Sequence, residues 1–244
     1  AGWHFNIGLT LDELGRFDEA IDAYRRALEI DPNYADALAW MADSYRLMGL
    51  YSIHKPLETL PYAKAAVARA LELAPALAEG HSTLAMVSLL LDHDADAALA
   101  QWRRAIEIEP GNVRARCEYA IWGLSAVARD DDEAMLQTAR ALKSDPLNAW
   151  AWGIHAFIVA IAGRVEESVA AAHPFVSQWS LLECLVKASR YGEALDHKDE
   201  ALEISVRHPW VLVSVACAHA AVGEMQQAKR IHDELAERAR MEYV

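Results

Sequence analysis

Proline recurs in this chain at positions that divide it into units of nearly constant length. Asp31-Pro32, Ala74-Pro75, Glu109-Pro110 and Asp145-Pro146 are spaced by 43, 35 and 36 residues, and His173-Pro174 and His208-Pro209 follow 35 residues apart. A period in this range restricts the fold to stacked repeats, in which each unit buries its apolar face only against its neighbours. Ahead of Pro32, the residues Ala20, Ile21, Tyr24, Ala27 and Leu28 recur at steps of three and four, the pattern of an amphipathic helix. A further helix precedes it. Gly15, Gly49, Gly163 and Gly223 stand where the first helix of a unit would end, and glycine readily supplies the left-handed residue of a helix C-terminus. Each unit therefore reads as helix, tight turn, helix, proline turn. No strand-like alternation occurs, and 11 glycines and 8 prolines in 244 residues fit a helical composition.

Residues 1 to 34 resemble a tetratricopeptide repeat, a family whose units run to 34 residues with a W..LG..Y…A…F…P pattern. Ile7-Gly8, Leu11, Ala20, Tyr24, Ala27 and Pro32 fill those places, while His4 stands where Trp is usual. Leu38, Met41-Ala42, Tyr45, Gly49, Ala63, Ala70 and Pro75 carry the pattern into a second unit, which has about nine extra residues between Tyr51 and Leu60. A third follows through Leu84-Ala85, Ala98, Trp102, Ala105 and Pro110, and a fourth through Tyr119-Ala120, Ala134, Ala141 and Pro146. Later units drift. The fifth keeps Trp152, Ala156 and Gly163, but His173-Pro174 cuts its second helix short. The sixth keeps Ser189 to Leu195 as its turn, and the seventh runs through Ala216, Gly223 and Ala228.

The resemblance implies an all-α fold: a right-handed α-solenoid of about seven helix-turn-helix repeats. The expected repeats are 1–34, 35–77, 78–112, 113–148, 149–174, 175–208 and 209–244, in one superhelical domain over 1–244. The segment from Gly49 to Ala63, the Arg-His-Pro-Trp stretch and the C-terminal ending are similar to repeat regions of multidomain bacterial signalling proteins. The chain begins Ala-Gly-Trp-His without an initiator Met, which points to part of a longer protein.

In this family the first helices line a concave groove that holds a peptide or helix of a partner. The groove-facing places are positions two, five, nine and twelve or thirteen of each unit. The partner-binding candidates are accordingly Phe5, Leu9, Asp36, Asp43, Arg46, Met86, Ile121, Trp150, Phe157, Trp179, Trp210 and Val213. The face changes from acidic at the N-terminal end to apolar and aromatic at the C-terminal end, where the tryptophans either bind or fill the core. Family members that bind chaperone tails clamp a terminal carboxylate with Lys, Arg and Asn. Here Arg46 and Arg114 stand isolated among acids, so a carboxylate clamp is not expected. An apolar groove suits the apolar side of a helix or an extended segment instead.

Chemistry is sparse. Asp92-His93-Asp94-Ala95-Asp96 offers metal-ligand types, but no convergent set of three or four ligands and no H-E-x-x-H pattern accompanies it. Its place in a turn makes helix capping the better account. Asp130-Asp131-Asp132 sits in the same turn of the fourth unit, suits a helix N-terminus and lacks a calcium loop. There is no phosphate loop, no G-x-S-x-G and no local Cys-His pair, so neither a cofactor, a metal nor catalysis is expected.

The net charge of −13 disfavours nucleic acid as the partner. The uncharged run from Pro146 to Gly163 is 18 residues long but contains Pro146, Asn148 and His155, and a buried helix is expected there rather than a membrane span. Cys117, Cys184 and Cys217 are odd in number and widely spaced, which suggests reduced, buried thiols and a cytoplasmic location. The expected function is a non-enzymatic scaffold for a protein or peptide partner. The alternatives are a regulatory sensor holding a small apolar ligand in the aromatic groove, or a metal-dependent enzyme. The last repeat shows no evident polar cap, so Val211, Val215, Ile231 and Leu235 are expected to lack some cover, and self-association through that end is expected.

Overall fold

A computed structural model of the chain describes residues 1–51, 53–172, 178–205 and 207–242. Side chains at 165, 171–172, 178–180, 204 and 241–242 also fall outside the description. The described residues form two compact units, Ala1–Glu118 and Tyr119–Val244. The first holds α1 (Gly2–Glu13), α2 (Phe17–Ile30), α3 (Ala35–Leu50), α4 (Pro56–Leu73), α5 (Ala78–Leu90), α6 (Ala95–Ile108) and α7 (Val113–Glu118). The second starts with a π-helical segment, π1 (Tyr119–Ala128). It continues with α8 (Asp131–Ser144), α9 (Ala149–Ile161), α10 (Val165–Ala172), α11 (Gln178–Lys187), α12 (Tyr191–Asp196), α13 (Lys198–Ile204), α14 (Pro209–Ala221) and α15 (Met225–Glu242). Among the described residues there is no strand. The all-α repeat fold expected from the sequence is what forms. The expected break at His173-Pro174 lies outside the described residues.

The proline turns show why. The residue before a proline is pushed out of the helical region by the ring. Asp31, Ala74, Glu109 and Asp145 have φ between −130° and −138° and ψ between 82° and 93°. Each still donates its N–H to the carbonyl four residues back, on Ala27, Ala70, Ala105 or Ala141, all fully buried. Its own carbonyl then accepts from the residue three further on: Tyr34, Leu77, Asn112 or Asn148. One β-turn geometry thus ends a helical pair and aims the next helix, four times over.

Turns within a pair have two solutions. Gly15, Gly163 and Gly223 adopt the left-handed conformation expected of them (φ 70°, 79° and 88°). His93, Arg129 and Ser189 adopt it without being glycine (φ 55°, 59° and 59°). After His93 and Arg129 comes an aspartate that caps the following helix: Asp94 accepts from the Ala97 N–H at 2.9 Å, and Asp130 from Glu133 at 3.0 Å. The capping account of these acid runs therefore holds. Gly49 differs from expectation. It lies inside α3, and a Cβ there would come within 2.7 Å of Thr59 Oγ1 and 3.3 Å of Pro56 Cα, so its role is close approach of α4. The residues inserted in the second repeat lengthen α3 and α4, with only 51–55 between them.

First helices of successive pairs lie side by side, α1 on α3, α3 on α5 and α5 on α7 in the first unit. In the second, α9 contacts π1 and α11, and α11 contacts α14. The cores are built from small residues at the helix crossings, with Tyr24, Trp102, Met86 and Ile158 among the large fully buried side chains between them. Gly8 illustrates the fit: a Cβ on it would run into the Tyr24 ring. The sixth pair has a second helix broken at His197 into α12 and α13. Val211 and Val215, expected to lack cover, are fully buried, with Ile231 of α15 packed on their cluster.

Candidate binding face

On the first unit the groove positions are occupied by a network of charge. Arg46, only 3% exposed, pairs with Asp43 at 2.6 Å one turn away and with Glu118 at 3.3 Å. Arg114 pairs with Asp43 and, at 3.2 Å, with Glu118. Ser82 donates to the other oxygen of Glu118 at 2.7 Å. Helices α3, α5 and α7 are thereby tied together through buried groups. Burial works against the Asp43 charge, but Arg114 and Arg46 outweigh it and hold its carboxyl below the ordinary aspartate range. Burial likewise works against the Arg114 charge, and Asp43, Glu118 and Glu79 together keep it firmly protonated. Beside this cluster Asp12 accepts from Tyr24 Oη at 2.6 Å and from Ser44 Oγ at 2.7 Å. Burial outweighs these two bonds and raises its carboxyl to about 6.

Several residues expected in the groove are therefore committed elsewhere. Asp43 and Arg46 serve the network, and Met86 is fully buried. Phe5 and Leu9 pack half-buried on the cluster around Tyr24, with Phe5 at 5.9 Å from the Tyr24 ring and 5.1 Å from Tyr34. Asp36 is exposed at the start of α3. None of these presents an open apolar surface. Arg46 and Arg114, expected to stand isolated among acids, are both paired with carboxylates.

The second unit is different. Trp150 and Ile161 of α9 are 46% and 40% exposed, and Trp210 and Val213 of α14 are 51% and 48% exposed. On α9, positions 150, 157 and 161 form one stripe, as do 210, 213 and 217 on α14, because residues three, four and seven apart share a helix face. Helix α11 packs on both α9 and α14, which among the described residues do not contact each other. Trp122 of π1 lies 5.5 Å from Trp210, ring centre to ring centre. Lys187 of α11 holds its ammonium 5.7 Å from the centre of the Phe157 ring. Ile121 is half-buried on π1. The Trp179 side chain, also expected in the groove, lies outside the described residues.

One residue of this face is not singled out by the sequence pattern. The ninth residues of the seven expected repeats are Leu9, Asp43, Met86, Ile121, Phe157, Glu183 and Cys217. Glu183 is easily passed over there, because an acid on a helix ordinarily faces water. It is instead largely enclosed between α11 and α14. Burial raises its carboxyl above the ordinary range, against a hydrogen bond with Ser214 and the charge of Lys187. Among the described residues, its Oε1 is buried and accepts no hydrogen bond. Cys217, expected to be buried, is exposed on α14, whereas Cys117 and Cys184 are buried, which pushes their thiols up to about 12 and about 11.

Among the described residues no three His, Cys, Asp or Glu side chains converge as metal ligands. Asp92 is held by Lys64 at 2.7 Å. No described helix is long and apolar enough to cross a membrane.

Residues 1–34 match the family model of the tetratricopeptide repeat. No curated protein sequence matches the chain significantly. Among solved structures, TTC0263, a thermophilic TPR protein of Thermus thermophilus, superposes with a TM-score of 0.60 at 20% identity, over 86% of this chain and 97% of that one. MamA gives a TM-score of 0.46 at 20% identity over 77% and 97%. YrrB, described as a TPR protein with an unusual peptide-binding site, gives 0.44 at 21% identity over 80% and 90%. Residues 1–34 thus match a tetratricopeptide repeat, and the helical pairs that follow share the fold of a solved tetratricopeptide-repeat structure.

Proposed function

We propose that the chain is a non-catalytic scaffold that holds a peptide or helix of a partner protein on the first-helix face of its second unit. The observation that carries this reading is the exposure of Trp150, Ile161, Trp210 and Val213 on first helices of that unit. Large apolar side chains gathered on one surface are costly to leave in water and commonly mark contact surfaces. Tryptophan in particular anchors interfaces, giving much contact area for little lost side-chain freedom. The corresponding face of the first unit is sealed by ion pairs and is assigned to holding its helices together.

Affinity capture with the wild-type chain and with the double variant Trp150→Lys, Trp210→Lys tests this. Both side chains are half exposed, so the variant should fold. The expected result is a set of proteins, identified by mass spectrometry, that the variant fails to retain. Identical sets from both chains would show that the face is not the binding surface.

A further inference from the structure

The unpaired carboxylate oxygen of Glu183 defines what the partner must bring. Buried polar atoms in folded proteins nearly always have a hydrogen-bond partner, and a charged one without a partner is the costliest kind. Glu183 Oε1 has none among the described residues. Lys187, whose charge acts on Glu183, holds its ammonium over the Phe157 ring of α9, and Ser214, the hydrogen-bond partner of Glu183, stands one turn beyond Trp210 on α14. Aromatic faces attract cations through their ring quadrupoles, and the Lys187 ammonium over Phe157 shows that this surface accommodates one.

We propose that this face binds a peptide segment carrying one lysine or arginine between apolar residues. The cationic head reaches Glu183, and the flanking side chains cover Trp150, Trp210 and Val213. This rests on the reading of the face as the partner surface and specifies its ligand. Charge complementarity selects this occupant: the chain carries a net charge of −13, which draws basic segments and repels acidic ones. A purely apolar segment would leave Oε1 unsatisfied, and an acidic one would add like charge to it. Lys187 does not fill the role, since its ammonium lies over Phe157 instead.

Binding of a cation favours the ionised carboxylate and so opposes the upward shift that burial imposes on Glu183. The other charged groups near α11 are engaged: Arg190 with Glu166 and Glu193, Arg164 with Glu167, and Lys198 with Asp199. On the flanking helices, His155 of α9 is turned to Thr138 and His219 of α14 to Glu224.

The test is selection of a random dodecapeptide library displayed on phage against the full wild-type chain and against Glu183→Gln. Wild type should enrich sequences with a single Lys or Arg flanked by Leu, Phe, Ile or Trp. Glu183→Gln should keep the apolar preference and lose the basic one. The best peptide is then synthesised with its basic residue and with Gln in that place. Isothermal titration of wild type should show the Gln peptide bound at least about tenfold more weakly, and the Lys or Arg peptide losing affinity on acidification. The peptide arm needs no protein variant, so it decides even if Glu183→Gln unfolds. Enrichment of apolar peptides with no basic residue, or equal binding of the two peptides, overturns the cation inference and leaves the face intact. Selected peptides whose binding is indifferent to Trp210→Lys overturn the reading of the face itself. Concentration-dependent light scattering that Trp210→Lys abolishes would make a second copy of this chain the occupant and overturn the peptide proposal.

Discussion

Arg46 and Glu118 lie 72 residues apart in sequence and 3.3 Å apart in space, and they join the second repeat to the fourth across the third. With Asp43 and Arg114 they place two positive and two negative side chains in the first unit, three of them almost fully buried. Such a cluster is stable as a whole and intolerant of losing a member, because removal of one charge leaves its partners unpaired. Asp43→Ala deprives both arginines of a counterion. It should cost about 3 kcal/mol, at the low end of the range for broken buried pairs, because Arg114 keeps some access to water. Urea unfolding measures this, and a change below about 0.5 kcal/mol would mean that the pairs behave as surface pairs do.

Asp12 should give the first unit a distinctive pH dependence. Its carboxyl lies at about 6 when folded against 3.8 ordinarily. Between those values the folded chain holds a proton that the unfolded chain has released, so this group's contribution to stability declines as pH rises through that window. Asp12→Asn cannot ionise. Its melting temperature relative to wild type should therefore rise between pH of about 4 and about 7. Asp43 works with the opposite sign: its depressed carboxyl contributes at neutral pH and is lost on acidification. A constant difference between Asp12→Asn and wild type would show that Asp12 titrates normally.

The left-handed turn residues offer a gain. His93, Arg129 and Ser189 carry a Cβ in a conformation that disfavours one. Replacing any of them by glycine should stabilise the chain by roughly 0.5–1 kcal/mol, the strain relieved exceeding the added entropy of the unfolded state. Gly163→Ala and Gly223→Ala should destabilise by a similar amount. Thermal unfolding of the five variants checks both signs together.

These turns also mark how far the fold is legible in the sequence. Proline spacing reveals the pairs because a pre-proline residue has one local consequence wherever it falls. Gly8 and Tyr24 are legible because the family pattern encodes their contact. The turns at His93, Arg129 and Ser189 are hidden, since glycine is only the commonest way to occupy the left-handed region. Gly49 misleads for a related reason, as a glycine can equally serve close packing. Spacing puts Asp43 and Arg46 on the right helix face. It cannot show that Arg114 and Glu118, two repeats later, close over them. Glu183 is visible by counting to the ninth position and is hidden by its chemistry. Nothing in the residues from Tyr119 to Ala128 announces a π-helix.

Gly8→Ala should be among the more damaging single-methyl changes. The added Cβ would collide with the Tyr24 ring, which is fully buried and whose hydroxyl is held by Asp12. Overpacking against a side chain that cannot swing away costs about 1–3 kcal/mol. Tyr24→Phe combined with Gly8→Ala should recover little, since the clash is with the ring. Denaturant unfolding in which Gly8→Ala matches wild type would show that α1 moves aside freely.

Cys217 provides a reporter for the binding face. It is exposed on the α14 stripe that carries Trp210 and Val213, while Cys117 and Cys184 are buried. Buried thiols with raised pKa react slowly because the thiolate is the nucleophile and the reagent must also reach it. Treatment of the native chain with a maleimide should therefore modify one thiol rapidly, and peptide mapping should place it at Cys217. The two others should react only on unfolding. A peptide bound across Trp210 and Val213 would cover the next turn of α14 as well, so saturating peptide should slow modification of Cys217 several-fold. The rate at Cys217 in the Trp210→Lys variant should be unaffected by the peptide. Rapid labelling of Cys184 in the native chain would contradict the packing of α11 against α9 and α14, and undiminished labelling of Cys217 under saturating peptide would move the bound segment off this stripe.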